Sequence, residues 1–363
     1  MSAVHSKKQR NLAVLDKHIT PEDLNHADTA ALNATSFAAL MTTYNAQLAH
    51  ADTLAIGVSG GGDSMGLAHM LHNWCTANGK ALHILTVDHK LRPDAAKEAR
   101  RVKAWVENWS NAAHFTLEWQ HDEKPQSRIQ EEARAARYAL MAEHCAARGI
   151  KALFIAHNAN DQYETFLIRL TSGSGLKGLS AMKAIQQEGD GLYKIRPLLG
   201  YSHDDILDYC RNEGVSWIED PSNQDPHYKR VRLRNSAETL SAEGLSTKRV
   251  STLIKRIERA NTALSYYTSQ AATALIMDTA HTHKAIDFDG FLQLPDEIAL
   301  RLLSDIMQSL QCQDMPYPPN SEKLESLYAR LCDDAHSFKG ATLYKCQFKL
   351  TNKAATLQII KES

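Results

Sequence analysis

Val58-Ser59-Gly60-Gly61-Gly62-Asp63-Ser64 is the stretch around which the fold of this chain is predicted to form. The apolar run at residues 53–58 predicts a buried strand, and residues 65–74 place apolar side chains at helical spacing. The glycines therefore occupy a strand-to-helix turn, where the backbone can approach a ligand closely. The first N–H groups of a helix lack internal partners and lie at the positive end of its dipole, so the turn predicts an anion site.

The order of residues in this turn narrows the kind of phosphate site. A Walker loop needs a lysine where Asp63 stands, and a dinucleotide-binding fingerprint needs a third glycine where Met65 stands. The remaining pattern, Ser-Gly-Gly-x-Asp-Ser, resembles the loop of the ATP pyrophosphatase (PP-loop) superfamily. The resemblance implies that Ser59 to Ser64 bind ATP and hold the departing pyrophosphate, with Asp63 as a ligand of Mg²⁺. A glycine-rich helix start without a ligand is the alternative.

Length and composition limit the class of protein. At roughly 100–200 residues per domain, 363 residues predict two domains or three. The net charge of −1 gives no sign of nucleic-acid binding, so any basic footprint must be local. The six cysteines have no Cys-x-x-Cys spacing, which favours a reducing cytoplasm over a disulfide framework or a cysteine-built metal site. No apolar stretch approaches the ~20 residues of a membrane span, so no membrane partner is expected.

Strand and helix patterns alternate along the first part of the chain. Further strands are predicted at residues 82–88, 114–119, 151–156 and 193–199, with helices at 94–109, from 129 to before Gly149, and at 160–170. This alternation predicts an α/β fold with a doubly wound, five-stranded parallel sheet, and the resemblance implies the adenine nucleotide alpha hydrolase-like form. Ligands bind at the carboxyl ends of such strands, where the glycine loop, Asp88 and His157 are predicted.

The chain is predicted to divide into three parts. Residues 1–36 are expected to be a mobile leader, 37–235 the PP-loop ATP-pyrophosphatase domain, and 236–363 a helical linker with a C-terminal module of smaller helical and α+β structure. In that last part, helices are predicted at 295–310 and up to 331, separated by a proline-rich break at 316–319. A hairpin of residues 341–348 and 354–360 is predicted to turn at 351–353.

Four further motifs resemble one family, the tRNA(Ile)-lysidine synthetases. They are residues 87–93 (Val-Asp-His-Lys-Leu-Arg-Pro), 156–165, the glycine-rich 173–182 and 217–223, which ends in Asp-Pro-Ser-Asn. The resemblance implies that Asp88 and His89 lie beside the adenosine, and it adds Arg137 to the nucleotide-binding residues. Taken alone, residues 87–93 are better explained as a strand end with a helix cap than as a binding segment. The resemblance also implies that the C-terminal module binds tRNA.

The second motif keeps only part of the family pattern. The family has two histidines, two aspartates and then Gln-x-Glu-Thr, and this chain keeps His157 and Asp161 but has Asn158 and Asn160 in place of a histidine and an aspartate. The resemblance implies catalytic roles for His157 and Asp161, with Asp161 joining Asp63 as a Mg²⁺ ligand. A capped helix with an exposed histidine is the alternative.

Three alternating arginines follow the last motif. Arg230, Arg232 and Arg234 stand where the family has Arg-Asn-Arg-Ile-Arg, with Val231 in place of the asparagine, and residues 229–260 carry nine basic and three acidic residues. Guanidinium groups suit phosphate, so we expect these arginines at the tRNA-facing edge of the site, with Arg230 and Arg232 among the catalytic residues. In an extended segment they would point one way, whereas in a helix they would spread. A solvated basic face is the alternative.

The resemblance also implies a reaction, with ATP and Mg²⁺ as cofactors. Free L-lysine is ligated to C2 of the wobble cytidine in a tRNA(Ile) with a CAU anticodon, through an adenylated tRNA, with release of pyrophosphate and AMP. Two alternatives stay open: a tRNA thiolation enzyme of the same superfamily, which commonly needs cysteines that carry sulfur, and a nucleotide-dependent RNA-binding protein without turnover. The residues do not decide the oligomeric state, and a homodimer stays open.

Overall fold

The structure is a computed structural model that describes residues 31–91, 95–120, 129–189, 191–219, 232–233, 236–278, 282–311, 321–333, 338–351 and 355–362. The described residues separate into two compact units. The first comprises the chain up to Ile168 together with Ala181–Leu253, and the second comprises Arg169–Ser180 together with the chain from Ile254. Most of the predicted leader, residues 1–30, lies outside the described residues.

A six-stranded sheet forms the centre of the first unit. Its strands are β1 (Thr53–Gly57), β2 (Ala81–Asp88), β3 (Ala112–Glu118), β4 (Ala152–Ile155), β5 (Ile185–Glu188) and β6 (Leu192–Ile195). The spatial order is β3-β2-β1-β4-β6-β5, and all pairs are parallel except β5 with β6. The strand order therefore reverses between β1 and β4, which is where α/β sheets bind ligands.

Helices cover both faces of this sheet. The helices of this part of the chain are α1 (Ala34–Thr42), α2 (Asn45–Leu48), α3 (Gly62–Ala77), α4 (Ala95–Val106), α5 (Ile129–Ala146), α6 (Ala159–Leu170), α7 (Leu176–Leu179) and α8 (His203–Asn212), of which α7 belongs to the second unit. Along β1, Leu54 and Ile56 join the core with α3, while Ala55 joins a separate core with Met141 of α5. Alternate strand residues point to opposite faces, so this division gives the doubly wound architecture.

The parallel five-stranded sheet is confirmed, with one addition and one shorter strand. The prediction at 193–199 is wrong beyond Ile195, because Pro197 begins a 3₁₀ turn, Pro197–Gly200. The strand β5 was not predicted, because its sequence Ile-Gln-Gln-Glu has no apolar alternation. It pairs with β6 through a tight reversal that contains Gly189 and Gly191, both with positive φ.

The second unit contains an antiparallel sheet of five strands. They are β7 (Ile276–Asp278), β8 (His283–Asp287), β9 (Ala341–Leu343), β10 (Cys346–Thr351) and β11 (Thr356–Lys361), in the order β7-β8-β11-β10-β9. Its helices are α10 (Thr247–Leu275, which begins in the first unit), α11 (Phe288–Leu292), α12 (Asp296–Gln311) and α13 (Ser321–Asp333), after α9 (Ala237–Ala242) in the first unit. The predicted hairpin is present as β10 and β11, but residues 341–348 contain a further turn at Tyr344 and Lys345, both with positive φ.

No helix within the described ranges is long and apolar enough to cross a membrane.

Candidate active site

The glycine loop lies between the end of β1 and the start of α3. Gly61 is the N-cap of α3 and has no side chain to cap it, and the first helical hydrogen bond runs from Met65 N to Gly61 O at 3.0 Å. The N–H groups of Gly62, Asp63 and Ser64 therefore have no helical acceptor. This arrangement, with the positive end of a 16-residue helix behind it, suits an anion.

Two serine hydroxyls fix the loop. Ser64 Oγ accepts from Ser59 N at 3.2 Å and donates to Gly61 O at 2.9 Å. A hydroxyl has one proton, so the 3.2 Å contact between the two hydroxyls has Ser59 as its donor. The loop is thus held in shape by its own side chains before any ligand arrives.

The three glycines of the loop differ in their surroundings. Gly60 has φ +90°, and an added Cβ would lie 2.9 Å from Ile218 Cδ1. A Cβ on Gly62 would clash with Leu207 Cδ2. At Gly61, by contrast, the nearest atom to an added Cβ is Ser59 Oγ, 3.8 Å away. Gly60 is therefore favoured by its positive φ and Gly62 packs closely against Leu207, while Gly61 leaves open the space in front of the helix N-terminus.

Asp63 joins the glycine loop to two other helix starts. Its Oδ1 lies 2.8 Å from Nδ1 of His203, the first residue of α8. The backbone N–H of His203 donates to Oδ1 of Asn160, in the first turn of α6, at 3.0 Å. The carboxylate of Asp63 is 29% exposed, so it remains accessible to a ligand. A carboxylate in the first turn of α3 is also favoured by the helix dipole.

Asn158 caps the helix α6. Its Oδ1 accepts from Asp161 N at 3.0 Å, and Asp161 Oδ2 accepts from Asn158 N at 3.1 Å. This reciprocal pair is a capping box, in which Asn serves as well as Ser or Thr. The departure from the family pattern at Asn158 thus has a structural role. Asn160 keeps the acceptor oxygen that the backbone N–H of His203 needs.

His157 is buried at the end of β4 against two arginines. Arg196 Nε donates to His157 Nδ1 at 3.1 Å, and Arg134 Nη2 lies 3.5 Å from Nε2. An imidazole that accepts at Nδ1 is neutral with its proton on Nε2. The alternative of an exposed histidine is therefore wrong, since only 9% of the residue is accessible. Burial lowers the pKa of Arg196, which also donates to the backbone oxygen of Lys183 and to Gln186.

Asp88 and His89 lie at the end of β2, as predicted. Asp88 is buried, and its Oδ1 accepts from Lys90 N at 2.8 Å, which supports the positive φ of Lys90. The guanidinium of Arg137, on α5, contacts His89 Nε2 at 3.3 Å through Nε and Nη2. The structure therefore brings two of the predicted nucleotide-binding residues into direct contact.

The arginine stripe lies mostly outside the described residues. Arg230, Val231 and Arg234 are not described, nor are residues 220–229, which include the whole Asp-Pro-Ser-Asn segment. Arg232 is exposed and its backbone oxygen accepts from Ser236 N at 3.1 Å, which is a helical bond. Of the two arrangements, Arg232 therefore has the helical one, since residues 232 and 233 are helical.

The donor set beside the glycine loop is compatible with Mg²⁺. Among the described residues, no three His, Cys, Asp or Glu side chains are grouped to hold a metal ion. Mg²⁺ commonly keeps several waters and binds one or two carboxylates plus substrate phosphates, so it needs no such cage. The partly exposed carboxylate of Asp63 beside the N–H groups of α3 meets that requirement.

Two residues of this region, His203 and Arg134, were not among the site residues predicted from the sequence. His203 is the first residue of α8, after a Ser202–Asp205 capping box, and this pattern gives no sign that its ring reaches Asp63. Arg134 precedes Arg137 by three residues on α5, so helical periodicity could have placed both on one face. Asp63 is 140 residues from His203, and His157 is 23 residues from Arg134, so neither contact is local in sequence.

Comparison with known proteins decides the family. A family model described as a PP-loop domain matches residues 33–239. The tRNA(Ile)-lysidine synthase of Rhodopseudomonas palustris is 35% identical over 339 residues, covering 93% of this chain and 95% of that protein. The chain belongs to the tRNA(Ile)-lysidine synthase family. The enzyme of that name from Wolbachia pipientis wMel is also 35% identical, over 88% of this chain and 73% of its own. The family and the class of enzyme predicted from the motifs, an ATP-using PP-loop ligase, are therefore confirmed.

A solved structure supports the fold alone. The U34-tRNA thiolase NcsA from Methanococcus maripaludis, determined with its [4Fe-4S] cluster, matches with a TM-score of 0.51 at 14% identity. The match covers 60% of this chain and 77% of that one. At such identity the likeness confirms the α/β architecture and does not transfer the thiolase activity.

Proposed function

We propose that this chain ligates lysine to C2 of the wobble cytidine of a tRNA(Ile) with a CAU anticodon. Cytidine O2 attacks the α-phosphate of ATP and pyrophosphate leaves. The ε-amine of lysine then forms a bond to C2, and the C2–O2 bond breaks so that O2 departs with AMP. The observation that carries the ATP-dependent step is the open N-terminus of α3 at Gly61, and family membership supports the substrates.

The glycine loop is proposed to receive the pyrophosphate. The N–H groups of Gly62, Asp63 and Ser64 are fixed donors that need no reorganisation as negative charge develops on the leaving group. Asp63, together with Asp161, would hold Mg²⁺, which supplies neutralising charge for the phosphates when bound. His203 orients the Asp63 carboxylate through its 2.8 Å contact.

The remaining predicted residues keep the roles that the resemblance implies. Asp88, His89 and Arg137 are proposed to line the nucleotide site beside β2. His157 and Asp161 are proposed to act at the start of α6, and Arg230 and Arg232 to face the tRNA. In this proposal residues 37–235 carry the ATP chemistry and residues 236–363 bind tRNA.

The state of the cysteines weighs against thiolation. Cys75, Cys145, Cys210 and Cys346 are buried, and burial raises the pKa of these thiols to about 11 or 12. Sulfur transfer needs an accessible thiolate, which a buried thiol with a raised pKa does not provide. We expect the enzyme to act in the reducing cytoplasm, and none of the five described cysteines forms a disulfide.

The test is pyrophosphate release from ATP with a tRNA(Ile) transcript, in the presence and absence of lysine. We expect release by the wild type and loss of release in Asp63→Ala, with unchanged circular dichroism. The matched control is Asp52→Ala, since Asp52 is exposed next to the amino end of the same strand. Wild-type rates in Asp63→Ala would show that the loop assignment is wrong.

The same assay separates the alternatives. Turnover that requires a sulfur donor instead of lysine would identify a thiolation enzyme. Binding of tRNA without pyrophosphate release under any of these conditions would identify an RNA-binding protein without turnover.

A further inference from the structure

The helix α10 presents two exposed tyrosines beyond a basic segment. Five basic residues and one acidic residue lie in its first half, and residues 260–275 carry no charge. Within that uncharged half, Tyr266 and Tyr267 are 58% and 60% exposed. Large aromatic side chains that leave so much surface in water commonly mark a binding surface.

Packing within the second unit fixes the rotation of α10. Ile254, Thr268 and Ala271 are buried on one side of the helix. On the same side, Asn261 accepts from Arg301 Nη2 at 2.7 Å and donates to Leu176 O at 2.9 Å. Tyr266 projects away from this side, as the helical period requires, whereas Tyr267 lies at its edge, one turn before Ala271, and is nevertheless exposed.

The exposed side combines rows of positive charge with the aromatic rings. Lys255 precedes Tyr266 by eleven residues, and Arg256 precedes Tyr267 by the same interval, so each pair is aligned three turns apart along the helix. Arg259 lies between Lys255 and Tyr266 along the helix, in the same row as Tyr266. The rows extend for about 16 Å, at 1.5 Å per residue.

We propose that this surface, formed by Lys255, Arg256, Arg259, Tyr266 and Tyr267, binds RNA, with the basic residues on phosphates and the tyrosines stacked on an unpaired base. The inference rests on the proposed function, because it takes the tRNA substrate as its ligand. Basic grooves that place aromatic faces beside backbone contacts are typical of single-stranded nucleic-acid sites.

The tyrosine pair is pre-arranged for stacking. The rings are 5.5 Å apart at 77°, and Tyr266 Oη accepts from Gln270 Nε2 at 2.7 Å. The T-shaped contact and the hydrogen bond restrict both rings, so little side-chain freedom is lost when a base binds. Exposed polar residues on the same half of the helix, including Thr262 and Ser269, add groups that can bond to ribose hydroxyls.

Charge favours RNA over a protein partner. The whole chain has a net charge of −1, but this helix has an excess of four positive charges. A protein interface centred on tyrosines would be depleted of charge at its core and would not need such rows. A polyanion, by contrast, gains from every basic residue through release of counterions.

The test measures binding of a tRNA(Ile) transcript with a CAU anticodon between about 50 and about 200 mM salt. The Tyr266→Ala/Tyr267→Ala double variant should bind roughly 5- to 150-fold more weakly at an unchanged salt slope, because stacking does not release counterions. The Tyr266→Phe/Tyr267→Phe variant keeps both rings and should bind nearly as well as the wild type. Arg256→Gln/Arg259→Gln should reduce the slope by about 0.7–0.9 for each lost phosphate contact.

The control is Ser265→Ala, an exposed position on the same helix that lies about 100° around the helix from Tyr266. In the pyrophosphate-release assay the double alanine variant should raise the KM for tRNA by a similar factor, and Ser265→Ala should leave it unchanged. Wild-type affinity in the double alanine variant overturns this inference, even if the wild type is active. Failure of the wild-type protein to release pyrophosphate would instead count against the proposed function.

Discussion

At the scale of single residues, the carboxylate of Asp63 is the point at which three helices meet. Asp63 belongs to α3, His203 to α8 and Asn160 to α6, and two hydrogen bonds of 2.8 and 3.0 Å link them in that order. The positive ends of these helices therefore lie near the same place, where they favour negative charge. The contact with His203 leaves the second oxygen of Asp63 for a ligand.

The first prediction concerns His203 as a positioning residue. His203→Ala should leave the fold intact and lower the rate of pyrophosphate release by about tenfold, as commonly happens when a partner of a metal-binding group is removed. His203→Asn, which keeps a hydrogen-bonding group, should recover part of the rate. The comparison is Asp204→Asn, an exposed neighbour in the same first turn. Equal rates for His203→Ala and the wild type would contradict a positioning role.

The histidine pair His83 and His144 bears on the stability of the fold rather than on the candidate active site. His83 Nδ1 and His144 Nε2 are 3.0 Å apart between β2 and α5, beside Phe115, with Arg148 stacked over the Phe115 ring. Burial, followed by the charge of Arg148 and then His83, lowers the pKa of His144 to about 4. Burial also lowers the pKa of His83. Both rings are therefore neutral at pH 7.

The second prediction follows from the sign of this shift. Since the folded pKa of His144 lies below the unfolded value of about 6.5, the unfolded chain binds more protons as the pH falls. The stabilisation is complete above pH 6.5 and is lost as the pH falls toward 4. Urea unfolding at several pH values measures the effect. A His144→Phe variant should show a shallower dependence, and an unchanged one would contradict the assignment.

At the scale of an element, the glycines at the start of α3 have different surroundings. Some lie against neighbouring side chains, and one faces the space where a ligand could bind. Gly60 and Gly62 face Ile218 and Leu207, whereas Gly61 faces open space. Gly66, one turn further along, approaches Ile206 and Cys210 of α8 closely. The glycines therefore let α3 pack against α8 on one side while the N–H groups at its start stay uncovered.

The third prediction uses this difference. Gly61→Ala fits the backbone, since φ is −71°, and should cost about 1 kcal/mol or less in stability. Its methyl group should nevertheless raise the KM for ATP roughly tenfold or more, because it occupies the approach to the helix N-terminus. Gly62→Ala should instead destabilise the fold by about 1–3 kcal/mol through overpacking. Thermal unfolding and ATP titration of both variants measure this, and a Gly61→Ala variant with unchanged KM would refute the role of Gly61.

At the scale of the whole molecule, the burial of most described cysteines limits which thiols could carry sulfur. Of the described cysteines, Cys332 alone is exposed, and Cys312 lies outside the described residues. Any sulfur carrier would have to be one of these two, because the other four thiols are buried and protonated. Both lie in the part of the chain assigned to tRNA binding.

The fourth prediction is made for the complete enzyme. Labelled lysine, ATP and tRNA should give labelled tRNA, and Cys312→Ser/Cys332→Ser should do so at the wild-type rate. No buried residue is altered among the described cysteines, so the variant should fold normally. Loss of labelling in this folded variant would favour thiolation chemistry over lysine ligation.

The sequence by itself determined the parallel sheet, the glycine loop and the family. Buried parallel strands are short apolar runs, and a helix that starts at glycines has an N-terminus without a side-chain cap, so both features are visible locally. The end of β2 at Asp88 and the start of α6 after His157 followed from the same patterns. The order of the motifs then identified the family, because several chemically important loops occur in this chain in the same order as in the family.

Only the tertiary structure decided the partners of these residues. The contacts of Asp63 with His203 and of His157 with Arg134 join residues that are 140 and 23 positions apart, and nothing in the local pattern of either partner specifies such pairs. The antiparallel strand β5, with its polar sequence, forms because β6 offers it an edge. Local periodicity reports which face of an element is buried, whereas the element it packs against depends on the fold of the whole unit.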